Sequence, residues 1–152
     1  MNIAAMTKEH LPALHRLEVL CFSDPWSEKA LEEELENPLS CFLVAGDGIG
    51  YVGCQFVLDE GFITNLAVSP DFRRQGIAVR LLDALCAEAK KRGVRLLHLE
   101  VREHNLPAQA LYTRFGFSVD GVRRRFYTDP TEDAILMTKR LEEGDFHEDF
   151  SH

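Results

Sequence analysis

Two stretches of this chain carry residues whose types and spacing suit chemistry. The first is "SPDFRRQGIAVRLL", Ser69 to Leu82. Arg73, Arg74, Gln75 and Gly76 stand at the entrance of a run of helix formers that opens with Ile77, Ala78 and Val79. The first turn of a helix leaves backbone N–H groups unpaired and carries partial positive charge. A glycine there lets an anion approach the backbone, and two arginines add charge. The stretch Arg73 to Ala78 therefore reads as a phosphate-holding helix entrance. It is neither a Walker loop nor a dinucleotide fingerprint, since G-x-x-x-x-G-K-[ST] and G-x-G-x-x-G are both absent. The second stretch is "LLHLEV", Leu96 to Val101, an apolar run that contains Glu100. Buried there, the carboxylate would be a stronger proton acceptor. Facing outward, it would pair with Arg102 or Arg95. From the residues alone the two readings stand level.

These residues need elements to position them. "NIAAM" reads as a short strand. Thr7 can cap a helix through Phe22 with Leu11, Leu14, Leu17 and Cys21 as its stripe. "SDPWS" breaks that helix, and Ser27 caps a second one that Pro38 stops. A strand over "CFLVAG" precedes two more, joined near Asp59 to Gly61. A helix then runs from Gly76 to Arg92 and ends at Gly93. "LLHLEV" reads as a buried strand. Asn105 caps a further helix that carries Tyr112 two turns in and ends at Gly116. A closing antiparallel pair follows. An aromatic in "ALYTRFGF" is most often core, with its hydroxyl satisfied. The expected domain is 1–141; residues 142–152, "EEGDFHEDFSH", read as an acidic, mobile tail. Two histidines there are more often solvated than metal-bound.

The chain has 152 residues, 45 % of them apolar, which suits one domain with one core. Its formal net charge of -8 argues against a nucleic-acid groove and favours cationic partners. No apolar run is long enough to span a bilayer, and the N-terminus lacks a signal-peptide pattern, so no membrane contact and a cytoplasmic location are expected. Cys21, Cys41, Cys54 and Cys86 are far apart among apolar residues and read as buried free thiols, with no disulfide and no metal site.

"RRQGIA" matches the [RQ]-x-x-G-x-[GA] loop of the GNAT superfamily of N-acetyltransferases. "PWSEK", "NLAVSPDFRRQG", "LEVREHNLPAQALYTRFGF" and "EDAILM" resemble its RimI-type branch, across roughly residues 2–141. The resemblance implies an α/β (α+β) fold: a mixed, mostly antiparallel seven-stranded sheet flanked by four helices. It implies acetyl-CoA as co-substrate and no metal. The acceptor it implies is a protein N-terminus, the N-terminal alanine of a basic small-subunit ribosomal protein. Residue by residue, it implies a base at Glu100, acting through water, and an acid at Tyr112 beside the CoA sulfur. Pyrophosphate is implied at Arg73, Arg74, Gln75, Gly76, Ile77, Ala78 and Val79. Leu66, Ala67, Val68 and Asn105 would meet the pantetheine arm, the first three through backbone groups. Ala78 stands where many relatives have glycine, so tighter packing with binding intact is expected. One acceptor-groove wall is implied at Pro25 and Trp26, the other at the Arg123–Tyr127 hairpin with Tyr127. Glu60, with Glu32, Glu33, Glu34 and Asp59, is expected to flank the groove and attract a cationic peptide. A monomer is expected. Two alternatives stay open: a GNAT enzyme acting on lysine side chains or small amines, and an acyl-CoA-binding module without turnover.

Overall fold

The computed structural model describes residues 1–141; the acidic tail expected at 142–152 lies outside the described residues. Seven strands form one sheet: β1 (Ile3–Ala5), β2 (Ser40–Ala45), β3 (Gly50–Val57), β4 (Glu60–Val68), β5 (Leu96–Arg102), β6 (Ser118–Tyr127) and β7 (Glu132–Arg140). Their spatial order is β1-β2-β3-β4-β5-β7-β6, and β4–β5 is the parallel pair in an otherwise antiparallel sheet. Four helices flank it: α1 (Leu11–Cys21), α2 (Glu28–Leu35), α3 (Ile77–Lys91) and α4 (Leu106–Arg114). The element order and the fold class expected from sequence are both present.

Helices α2 and α4 start where their caps dictate. Ala30 N–H donates to Ser27 Oγ at 3.0 Å, and Ala108 N–H donates to Asn105 Oδ1 at 3.2 Å. Helix α1 begins later than its pattern predicts: Lys8–His10 form a 3-10 turn, and Thr7 N–H donates to His10 Nδ1 at 2.9 Å. Helix α3 buries Ile77, Leu81 and Leu85 at four-residue spacing and ends at Gly93, whose φ of 77° suits a residue without Cβ.

The helices split the core in two. Leu14, Leu17 and Leu31 pack with Phe42, Val44 and Tyr51 on one sheet face. Leu81, Leu85, Leu97, Tyr112 and Phe117 belong to the cluster on the other. Helices α1 and α2 touch β2, β3 and β4. That limit corrects the reading of β5 as a buried strand. Leu97, Leu99 and Val101 are buried, while His98, Glu100 and Arg102 alternate onto the opposite face, which no helix covers. No helix of the described residues is long and apolar enough to cross a membrane.

Candidate active site

The parallel ladder between β4 and β5 is short. Pairing runs from Glu60↔Leu96 to Phe62↔His98 and then stops. Opposite the stop, the β3–β4 register shifts between Gly53 and Cys54: Gly53 meets Asn65 and Cys54 meets Ile63, so Thr64 is an extra residue. A bulge of this kind bends its strand and increases local twist. Strand β4 thus swings away from β5, and no ladder joins Ile63–Val68 to Leu99–Arg102 across the gap. The gap is a cleft of about 620 Å³.

Glu100 and Tyr112 both line it, with Leu66, Asn105, Trp26 and Tyr127. Of the two readings left level by the sequence, Glu100 takes the outward-facing one. Its side chain is 36 % exposed, and its partner is Arg123 at 3.6 Å rather than Arg102 or Arg95. The cause is the uncovered face of β5. Tyr112 is buried, its ring edge-on to Phe117 at 5.7 Å, and burial pushes its hydroxyl well above the ordinary phenol range. Tyr127 sits under the Arg102 guanidinium at 4.4 Å and is pushed up to about 12, chiefly by burial.

The phosphate-type entrance has the backbone its sequence demands. Arg74 and Gly76 have φ of 64° and 77°. A Cβ on Gly76 would meet nothing within 4 Å, so open space lies before the first turn of α3. Arg73 departs from expectation. It is turned back onto the end of β4, with Nε donating to Val68 O at 3.2 Å and Nη2 lying 3.6 Å from Cys21 Sγ. Val68 O is therefore already engaged within the chain. Cys21 is likewise no core residue: it is half-buried and lines the cleft, whereas Cys41, Cys54 and Cys86 are buried.

Five expected groove residues lie elsewhere. Glu60 sits at the closed end of β4, where its Oε1 is 2.6 Å from His98 Nε2; the cleft opens at the other end of that strand. Pro25 is exposed and outside the cleft lining, although its neighbour Trp26 is within it. Glu34 is spent on Ser40 and Gln55, away from the cleft, as are Glu32 and Glu33 on the same helix.

Sequence reading missed two supporting carboxylates. Glu132 accepts from His104 N–H at 2.7 Å and from Arg102 at 3.1 Å, joining the open end of β5 to the start of α4. The His104 N–H chiefly, then Arg102, holds its carboxyl below the usual range. Glu18 lies in α1 at 1 % exposure and also lines the cleft. Its position one residue past Leu17, beside the apolar stripe, was the available signal.

Comparison with known proteins agrees with this geometry. The model of the Acetyltransferase (GNAT) family matches residues 11–117. The chain is 40% identical over 140 residues to an Escherichia coli K12 protein named ribosomal protein bS18-alanine N-acetyltransferase, covering 90% of this chain and 95% of that one. A crystal structure of the ribosomal-protein-S18-alanine N-acetyltransferase from Escherichia coli superposes with a TM-score of 0.83 at 39% identity, over 93% of this chain and 94% of that chain. The PaiA N-acetyltransferase of Thermoplasma acidophilum, solved in complex with coenzyme A, shares the fold alone. Its TM-score is 0.76 at 20% identity, over 91% of this chain and 98% of that chain.

Proposed function

The chain belongs to the acetyltransferase (GNAT) family, and on that premise we propose that it acetylates the N-terminal α-amine of a protein, the N-terminal alanine of ribosomal protein bS18. The observation that carries this reading is the 40% identity to a bS18-alanine N-acetyltransferase across nine-tenths of the chain. The presence of Glu100 and Tyr112 in one cleft supports turnover rather than mere binding.

The chain fits acetyl-CoA, which supplies the acyl group as an activated thioester. Unpaired N–H groups at the start of α3, the left-handed Gly76 and open space before it suit a pyrophosphate. The unpaired edge of β4 near Leu66 suits the amides of a pantetheine arm, and its N–H groups would polarise the acyl carbonyl. Asn105, already the cap of α4, stands on the opposite lip and would add a contact to that arm.

Amide formation also needs two proton movements. An α-ammonium, of pKa ~8, is not a nucleophile until it loses a proton. Glu100 would accept that proton through a water, which its exposure to the cleft permits. Tyr112, kept protonated by burial, would donate to the departing sulfur. Trp26 on one side and Tyr127 on the other would hold the acceptor between them.

Incubation of an alanine-starting peptide and a lysine-containing, N-terminally blocked peptide with acetyl-CoA, read by mass spectrometry, tests the reading. Label is expected on the α-amine. Label on the lysine would favour the first alternative, and tight CoA binding without product would favour the second.

A further inference from the structure

Glu18 is a buried carboxylate that the proposed chemistry leaves unused. Its Oε1 accepts from Trp26 N–H at 2.9 Å. Its Oε2 accepts from Tyr51 O–H at 2.6 Å and from Asn65 Nδ2 at 3.4 Å. Three donors on three elements therefore converge on one side chain. Tyr51 is on β3. Asn65 is on β4, next to the extra residue Thr64 that swings this strand open. Trp26 belongs to the loop between α1 and α2 that walls the cleft.

The Trp26 backbone is held at its other end too. Trp26 O accepts from His15 Nδ1 at 3.0 Å. His15 and Glu18 are three residues apart on α1, hence on one face of that helix. One face of α1 thus grips both backbone polar groups of Trp26. The indole itself leans on Phe42, with ring centroids 6.1 Å apart. The wall is fixed by its main chain as well as by its ring. Asn65 Oδ1, by contrast, is buried without a hydrogen-bond partner. Its amide is committed to Glu18 in the orientation that leaves the oxygen unsatisfied, an arrangement that costs stability.

We infer that Glu18 is the positioning residue of the acceptor groove: it sets the separation between the Trp26 wall and the open edge of β4, and so the width available to an incoming N-terminus. This inference rests on the acetyltransferase reading of the cleft. Glu18 acts through Trp26 and Asn65 and need not touch the substrate.

The test compares four variants with an alanine-starting hexapeptide as acceptor. Glu18→Ala frees Trp26 N–H and should raise the peptide KM by roughly tenfold or more. The acetyl-CoA KM and the kcat at saturation should stay within about twofold, because uniform acceptor binding is what is lost. Glu18→Gln should restore most of the peptide KM. Its amide oxygen can accept from Trp26 N–H, while a flipped Asn65 accepts from its NH2. His15→Ala should raise the peptide KM less, by roughly threefold, since water can reach the half-buried Trp26 O. Tyr51→Phe removes a bond to the same carboxylate but leaves the wall held, so it should lower the melting temperature and leave the peptide KM within about twofold.

Trp26 is the one tryptophan of the chain, so its emission reports the wall directly. Emission should shift to the red in Glu18→Ala and not in Tyr51→Phe. That readout survives even if no peptide is acetylated, an outcome that would sink the functional reading alone. Should Glu18→Ala fail to fold, His15→Ala and Glu18→Gln still decide. An unchanged peptide KM in His15→Ala and in any folded Glu18→Ala overturns the inference. So does a Glu18→Gln variant whose peptide KM rises roughly tenfold or more over wild type, or a loss confined to kcat.

Discussion

Glu100 and Tyr112 differ in what surrounds them, and the proposed division of labour follows from that. Glu100 is open to the cleft and to Arg123. Tyr112 is packed against Phe117, where burial holds its proton. Glu100→Gln keeps shape but cannot accept a proton, so turnover should fall ~10²- to 10⁴-fold, the range for a positioned base. Tyr112→Phe keeps the ring contact and should fall similarly. In both variants acetyl-CoA affinity, measured by calorimetry, should hardly move. Wild-type turnover in both across the ~8 pKa of the amine would remove the assignment. Glu132 makes a different residue-level prediction. Its folded carboxyl is held low by His104 N–H and Arg102, so its stabilising contribution is full above the ~4.3 of an ordinary glutamate. It fades as pH falls through the lowered folded value. The gap in urea midpoint between wild type and Glu132→Gln should therefore be clear at pH ~7 and close well below pH ~4.

At the level of elements, the cleft exists because β4 and β5 part company after Phe62 and His98, and because the Thr64 bulge turns β4 aside. The strand then leads through Pro70–Phe72 into the loop before α3, so the unpaired edge and the anion-suited helix start lie on one continuous segment. Gly76 is where the segment's conformation is most specific. A side chain there meets no obstacle in the free protein but must adopt φ of 77°. Gly76→Val should cost stability by roughly 1–2 kcal/mol, the penalty of a left-handed conformation, while the protein still folds. Its larger effect should be on ligand. The added methyls occupy the space before α3 and should weaken acetyl-CoA binding by well over tenfold, more than ~1.4 kcal/mol. An unchanged calorimetric affinity in a folded variant would refute the loop's role.

For the molecule as a whole, the net charge of -8 is the property that reaches beyond contact distance. The acids first assigned to attract a cationic peptide are not at the cleft: Glu60 binds His98, and Glu34 binds Ser40 and Gln55. The cleft itself carries mixed charge, with Glu100 facing Arg123 and with Arg102 over Tyr127. Attraction of a basic acceptor is therefore a property of the summed field rather than of a lined groove. Such a field raises encounter rate more than intrinsic affinity and is screened over ~10 Å at 0.1 M salt. An alanine-starting peptide followed by arginines should show a higher kcat/KM than its neutral counterpart at low salt, with an acidic peptide lowest. The difference should shrink as salt rises. Equal values at low salt would exclude steering and leave the acetyltransferase reading intact.

What the sequence determined by itself was local. Among the described residues, periodicity and punctuation located the four α-helices and seven strands in order, because Ser27, Asn105 and Gly93 act on their own neighbouring backbone. The entrance at Arg73 to Ala78 was legible for the same reason, since glycine and a helix start need no distant partner to suit an anion. What depended on the third dimension was which groups meet. Apolar flanks left it open whether Glu100 is buried; burial needs a covering layer, and α1 and α2 stop at β4. Closeness in sequence placed Glu60 near the site, but strand pairing sent it to the closed end, about four residues of β-rise from the bulge at ~3.3 Å each. The convergence of Trp26, Tyr51 and Asn65 on Glu18 joins residues up to 47 positions apart. No spacing rule links them; only the packing of α1 over a bulged β4 brings their donors to one carboxylate.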